Sequence, residues 1–252
     1  MASSSVPTAR VLDKLDGLLG KNDYEGARKL LLYWLEEAEQ TGDGRSALLL
    51  TNELMGLCRK LGEEHNALQY ADSALALVGQ LGITDTVGAA TTYVNAATVR
   101  KAFGRATEAL ELFEKALSIY ERDLPTGDDR LGGLYNNMAL ALVDTAQYDR
   151  AEVFYRRALA VMEQVPDGEA EMAITYLNMA SAAEAQYGLE EADSRIAGYL
   201  QTAAELLDKG QHRTDGGYAF VCEKCAPVYG YYGYFVYEST LKERCRRIYE
   251  GT

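Results

Sequence analysis

The sequence predicts an all-α protein in which helices pair into antiparallel hairpins and about six hairpins stack in a row. The first reason is a repeat, because blocks of similar small and aromatic residues recur every 40 to 42 residues, aligned on Ala27, Ala67, Ala109, Ala151 and Ala192. The second is that each block contains two helical patterns, here called the first and second helix, separated by a short turn, as in residues 134–142 and 146–158. One such pair cannot bury its apolar face alone, so a stacked α-solenoid is expected.

Helix packing explains why the repeated position is alanine. The two helices of a pair are expected to approach most closely there, and a longer side chain would push the backbones apart. Small residues also recur seven positions later and on the first helices, at Ala74, Ala116, Ala158, Ala97, Ala139 and Ala180. The same close contact is therefore predicted in every middle hairpin.

The domain organisation follows from these blocks. Residues 1–10 are predicted to be a flexible N-terminus and residues 11–252 a single solenoid, with units at 11–43, 45–83, 88–124, 129–167, 170–209 and 216–251. Gly62 and Gly104 are expected at helix ends, where glycine tolerates a left-handed backbone. Asp128 or Asp129 is expected to cap the helix that follows it. The last unit is degenerate, because Glu238 replaces the alanine.

Charge and composition limit the partners. The formal net charge is -13, and phosphate binding requires clustered Lys and Arg, so no nucleic-acid partner is expected. No apolar run approaches the length of a membrane span, and the first residues lack the features of a secretory signal. We therefore expect a cytoplasmic protein with reduced cysteines and no membrane contact.

The first helices carry a pattern that resembles the tetratricopeptide repeat. Its aromatic, leucine and glycine positions are filled in the middle units by Tyr93, Tyr135 and Tyr176, by Leu54, Met138 and Met179, and by Ala97, Ala139 and Ala180. The period near 42 and the order Asn-Asn-Met-Ala are most similar to kinesin light chain arrays. The resemblance covers roughly residues 11–249, although Arg100 occupies a tyrosine position. It implies a right-handed superhelix whose first helices line a concave groove.

This resemblance implies a peptide-binding surface on the first helices. These helices are poor in charge, with only Asp144 between residues 132 and 146 and only Glu184 between residues 173 and 186. The groove residues are predicted to be Asn52, Asn95, Thr98, Lys101, Asn136, Asn137, Leu140, Asn178 and Ser181. An asparagine amide can both donate to and accept from a peptide backbone. Alternatively, the asparagines bond to the neighbouring repeat and brace the stack.

The cysteines have three possible roles. Cys222 and Cys225 form a Cys-x2-Cys motif, but the chain lacks the second ligand pair of a zinc site and the strand that precedes a redox pair. The repeat alignment instead places these two residues, Cys58 and Cys245 at packing positions, where a thiol acts as a small apolar group. Packing is the favoured interpretation, and no bound metal is predicted. Pro227 predicts a kink or a late start in the same helix.

The last unit is rich in aromatic residues, of which Tyr231, Tyr232, Tyr234 and Phe235 are candidates for a second interface. An aromatic terminal repeat suggests a partner surface or self-association into a homo-oligomer. The alternative is a cap folded over the last helix pair.

The chain shows no nucleophile, base and acid at a recognisable spacing and no phosphate-binding loop, so neither an enzyme nor a cofactor is expected. The predicted function is a non-enzymatic scaffold that binds a peptide segment of a partner protein. Two alternatives are a regulator that responds to a peptide or small molecule, and a metal or redox role for the Cys-x2-Cys unit.

Overall fold

A computed structural model describes residues 6–251, and this part of the chain consists of twelve helices without a strand. The helices are α1 Thr8–Leu19, α2 Tyr24–Thr41, α3 Gly44–Lys60, α4 Glu64–Gln80, α5 Val87–Ala102, α6 Ala106–Asp123, α7 Asp129–Asp144, α8 Tyr148–Met162, α9 Glu169–Tyr187, α10 Leu189–Lys209, α11 Gly216–Tyr231 and α12 Phe235–Glu250. Each odd-numbered helix packs against the even-numbered helix that follows it. The predicted all-α fold of about six hairpins is confirmed.

The chain divides between Leu124 and Pro125 into two compact units of three hairpins each. In the first unit, α2 packs on α3, α4 packs on α5, and the first helices α3 and α5 touch directly. In the second unit, α8 packs on α9, and α9 contacts both α7 and α11. One continuous solenoid over residues 11–252 stays a prediction. Helix α1 begins at Thr8, ahead of the predicted start at residue 11, and residues 1–5 of the predicted flexible segment lie outside the described residues.

The helix ends follow the predicted turn chemistry. Gly62 and Gly104 have left-handed backbones, with φ of 72° and 77°, which only glycine adopts without strain. Asp128 caps α7 by accepting a hydrogen bond from the backbone N–H of Arg130 at 3.1 Å, as one of the two predicted capping residues. Asp215 caps α11 in the same way, through the N–H of Tyr218 at 2.9 Å.

The repeated alanines lie in the core, where Ala27, Ala67 and Ala109 are fully buried and Ala151 and Ala192 nearly so. The helices of a pair also meet closely at other points. A Cβ atom on Gly132 of α7 would lie 2.4 Å from Cε of Met162 at the end of α8.

In the degenerate hairpin α11–α12, a glycine on α11 lies against the glutamate that replaces the repeated alanine on α12. A Cβ atom on Gly230 would lie 2.5 Å from Oε2 of Glu238. Glycine on α11 therefore makes room for the glutamate that replaces alanine on α12. Helix α11 begins at Gly216 and continues through Pro227, so the late start offered as one expectation is wrong. Among residues 6–251, no helix has the length and apolar character needed to cross a bilayer.

Candidate partner-binding surfaces on the first helices

In the first unit, the predicted asparagines of α3 and α5 bond to each other. The side-chain amide of Asn95 donates to Oδ1 of Asn52 at 3.0 Å. Nδ2 of Asn52 in turn donates to Oγ1 of Thr92 at 3.2 Å and to the backbone oxygen of Leu48 at 2.9 Å. The bonds of Asn52 with Asn95 and Thr92 join two neighbouring first helices, which is the bracing role.

The second unit repeats this arrangement between α7 and α9. Nδ2 of Asn178 donates to Oδ1 of Asn136 at 3.1 Å, and both residues are half-buried. Asn137, also half-buried, is the next residue on α7. An amide has two donor hydrogens and two acceptor lone pairs, so one such bond uses only part of its capacity. Bracing and peptide binding are therefore compatible in the same side chains.

The other predicted groove residues lie on the same helices. The hydroxyl of Thr98 donates to the backbone oxygen of Val94 at 2.8 Å, and that of Ser181 donates to Leu177 at 3.3 Å. Each hydroxyl oxygen can still accept a hydrogen bond. Lys101 on α5 and Leu140 on α7 are half-buried.

The four residues of the predicted second interface lie in two different places. The hydroxyls of Tyr231 and Tyr232 donate to the two carboxylate oxygens of Glu184 on α9, at 2.6 Å and 2.7 Å. The bond to Glu184 raises the pKa of the Tyr231 hydroxyl. Both tyrosines thus join the first-helix surface, whereas Tyr234 and Phe235 lie at the start of α12.

Sequence reasoning missed two residues on α11 that extend this surface. Phe220, Lys224 and Tyr231 are spaced to share one face of the helix, and Nζ of Lys224 lies 4.9 Å from the centre of the Phe220 ring. The face is directed toward α9, because the hydroxyl of Tyr231 on it donates to Glu184 of α9 at 2.6 Å. The spacing of Phe220, Lys224 and Tyr231 was visible in the sequence. However, the many tyrosines of the last unit led us to predict an interface separate from the first-helix surface.

Arg100, which occupies a tyrosine position of the repeat, is accounted for by ion pairs in the first unit. Its guanidinium bonds to Asp72 on α4 at 2.6 Å and to Glu108 on α6 at 3.2 Å. Only 14% of its side chain is exposed. It therefore ties its first helix to two second helices.

The four cysteines are free and buried, as the packing interpretation predicts. Burial raises the pKa of the thiols of Cys58 and Cys245 to about 11, and it also raises the pKa of Cys222 and Cys225. The thiolate is the nucleophile and metal ligand, so these raised values make the thiols unreactive at neutral pH. Among the described residues, no group of three or more His, Cys, Asp or Glu side chains is arranged to hold a metal ion.

Comparison with known families agrees with this geometry. Family models described as tetratricopeptide repeat match residues 45–122, which span α3 to α6, and residues 132–165, which span α7 and α8. Over these two stretches the chain is similar to tetratricopeptide repeats. A search of curated proteins found no match for it.

Solved structures resemble this chain over most of its length. BtubC (BKLC) from P. vanneervenii is 22% identical with a TM-score of 0.63, covering 81% of this chain and 78% of its own. Repeats of a putative kinesin light chain from Podosopora anserina are 17% identical with a TM-score of 0.55, covering 80% and 94%. NprR in complex with its cognate peptide NprX is 17% identical with a TM-score of 0.53, covering 96% and 67%. At these identities the similarity establishes the fold.

Proposed function

We propose that this protein is an interaction scaffold that holds a peptide segment of a partner protein against the first helices of its hairpins. The observation that carries the proposal is the recurrence of half-buried amides on neighbouring first helices, Asn52 with Asn95 and Asn136 with Asn178. Amides suit an extended peptide because each can donate to a peptide carbonyl and accept from a peptide N–H without a charge.

The second unit offers the more varied surface for such a peptide. Its amides on α7 and α9 are flanked by the exposed aromatic rings of Phe220 and Tyr231 on α11, which can bury apolar side chains. The carboxylate of Glu184, held by two tyrosine hydroxyls, is placed to receive a Lys or Arg of the peptide. The preferred peptide should therefore combine apolar residues with at least one basic residue.

The structural relatives support this class of function by analogy. NprR, which shares the fold, was solved with its cognate peptide NprX. A shared fold does not fix a function, so the proposal depends on the surface residues of this chain. A segment of about 12 residues covering several hundred Å² is sufficient for micromolar affinity when its side chains fit the surface.

A random peptide library tests the proposal. Peptides of about 12 residues, displayed on phage, are selected against the full chain, and Kd is measured by fluorescence anisotropy. Asn137→Ala and Asn178→Ala should each weaken binding by about 5- to 10-fold, which corresponds to one lost hydrogen bond. Asn137→Ala should leave the melting temperature unchanged, whereas Asn178→Ala should lower it by a few degrees because Asn178 also bonds to Asn136.

The matched control is Gln201→Ala, which removes an exposed amide from the second helix α10. This variant should bind the selected peptides as the wild type does. Failure to select any peptide, or equal Kd values for the wild type, Asn137→Ala and Asn178→Ala, would overturn the proposal and leave bracing as the only role of the amides.

A further inference from the structure

The outer face of the last helix, α12, is largely uncovered in the described part of the chain, although Arg247 at its end donates to the backbone oxygen of Gln211 at 2.8 Å. We define this face by Phe235, Val236, Ser239, Thr240, Glu243 and Arg247. Phe235 is 66% exposed and Val236 is 85% exposed, and both follow the half-exposed ring of Tyr234. Adjacent exposed apolar side chains of this size commonly mark an interaction surface. From this exposed face we propose that two copies of this protein form a dimer through antiparallel contact of their α12 helices.

The order of residues along the face is self-complementary. When two copies of α12 run antiparallel about a two-fold axis near Leu241, residue 235 faces residue 247 of the other copy and residue 239 faces residue 243. Phe235 would then lie under the guanidinium of Arg247, a favourable cation–π pair. Glu243, whose carboxylate is already paired with Arg246, would lie opposite the small side chain of Ser239. An isologous interface requires such matching of a surface with itself.

The centre of the face can be buried with little loss of hydrogen bonding to water. Ser239 and Thr240 are small, and their hydroxyls already donate to the backbone oxygens of Phe235 and Val236, at 2.9 Å and 3.0 Å. Burial would therefore leave no donor of these two residues unsatisfied. Small residues at a crossing point also allow two helices to approach closely.

Charge favours this part of the chain over the rest as a contact between copies. The whole chain has a formal charge of -13, so two copies repel each other over most of their surface. On α12, Glu243 is neutralised by Arg246 through bonds of 2.7 Å and 3.1 Å, and Lys242 pairs with Glu238 at 2.6 Å. Helix α12 thus presents apolar side chains without an excess of negative charge.

Sedimentation velocity of the full chain tests the proposal at concentrations up to about 200 µM, which covers the micromolar affinity expected of one helix pair. The wild type should form a dimer, and Val236→Asp should raise the dimer Kd at least tenfold because it adds a charge to the interface. The matched control is Val153→Asp, which makes the same change at an exposed valine of α8 and should leave the Kd unchanged. Circular dichroism checks that both variants fold.

The variant Thr240→Cys tests the antiparallel arrangement of the two α12 helices. Residue 240 lies near the proposed two-fold axis, so mild oxidation should link two copies through a disulfide, and the four buried native thiols should not react. A wild type that stays monomeric at the highest concentration, or a dimer that Val153→Asp disrupts as strongly as Val236→Asp, would overturn the proposal. A dimer sensitive to Val236→Asp without the Thr240→Cys link would overturn the antiparallel arrangement.

Discussion

Replacing Tyr229 with alanine should lower the free energy of unfolding by about 3–5 kcal/mol, the range for removing a large aromatic ring from a core. Only 1% of this side chain is exposed, and its hydroxyl donates to the backbone oxygen of Leu200 on α10 at 2.8 Å. Its ring meets that of Tyr237 on α12 edge to face, with the ring centres 4.6 Å apart. Tyr229 thereby joins α10, α11 and α12, and urea denaturation of the variant measures the loss.

Tyr231→Ala is the control for this prediction. Tyr231 lies on the same helix but is 69% exposed, so its loss should change the free energy of unfolding by no more than about 0.5 kcal/mol. Equal effects of the two substitutions would contradict the packing of the last hairpin against α10. A large effect of Tyr229→Ala alone identifies the tyrosine-rich hairpin as part of the folded stack.

Replacing Ala158 with leucine should destabilise the protein by about 1–3 kcal/mol, because the added carbon atoms have no space in a packed core. Ala158 is fully buried on α8 and lies on the face that carries Ala151 and Met162. Met162 touches the position where a Cβ of Gly132 would lie, so this face packs against α7. Thermal unfolding measures the effect as a lowered melting temperature.

Ala160→Leu provides the same change two residues away. Ala160 is exposed, so leucine at that position should be tolerated within about 0.5 kcal/mol. Leucine is also a strong helix former, which removes helix propensity as a cause of any difference. If Ala158→Leu were as stable as Ala160→Leu, the repeated alanines would not mark the close contact between paired helices.

The hairpins were predictable because their signals are local. A helix reveals itself through the spacing of small and aromatic residues within one block, and its ends through residues such as Gly62, Gly104 and Asp128. Because the same pattern recurs in each block, every block supports the assignment of helices in the others. The exchange of alanine for Glu238 was visible in the sequence, but the compensating glycine at position 230 became evident only with the packing of α11 on α12.

The contacts of the candidate surface were less predictable because they join residues far apart in the chain. Counting from Tyr135 and Tyr176 aligns Asn137 with Asn178, yet Asn178 bonds to Asn136. The offset of one residue depends on how α7 and α9 are rotated against each other, which the repeat pattern does not encode. Tyr231 and Tyr232 likewise reach Glu184 across 47 and 48 residues of sequence.

Hydrogen–deuterium exchange of the full chain, with and without a library-selected peptide, examines the proposed binding surface without any substitution. If a peptide lies along the first helices, the bound state should slow exchange in α7, α9 and α11, or in α3 and α5, and leave the second helices unchanged. Protection confined to the second helices α8, α10 and α12 would contradict the assignment of the first helices as the partner-binding surface.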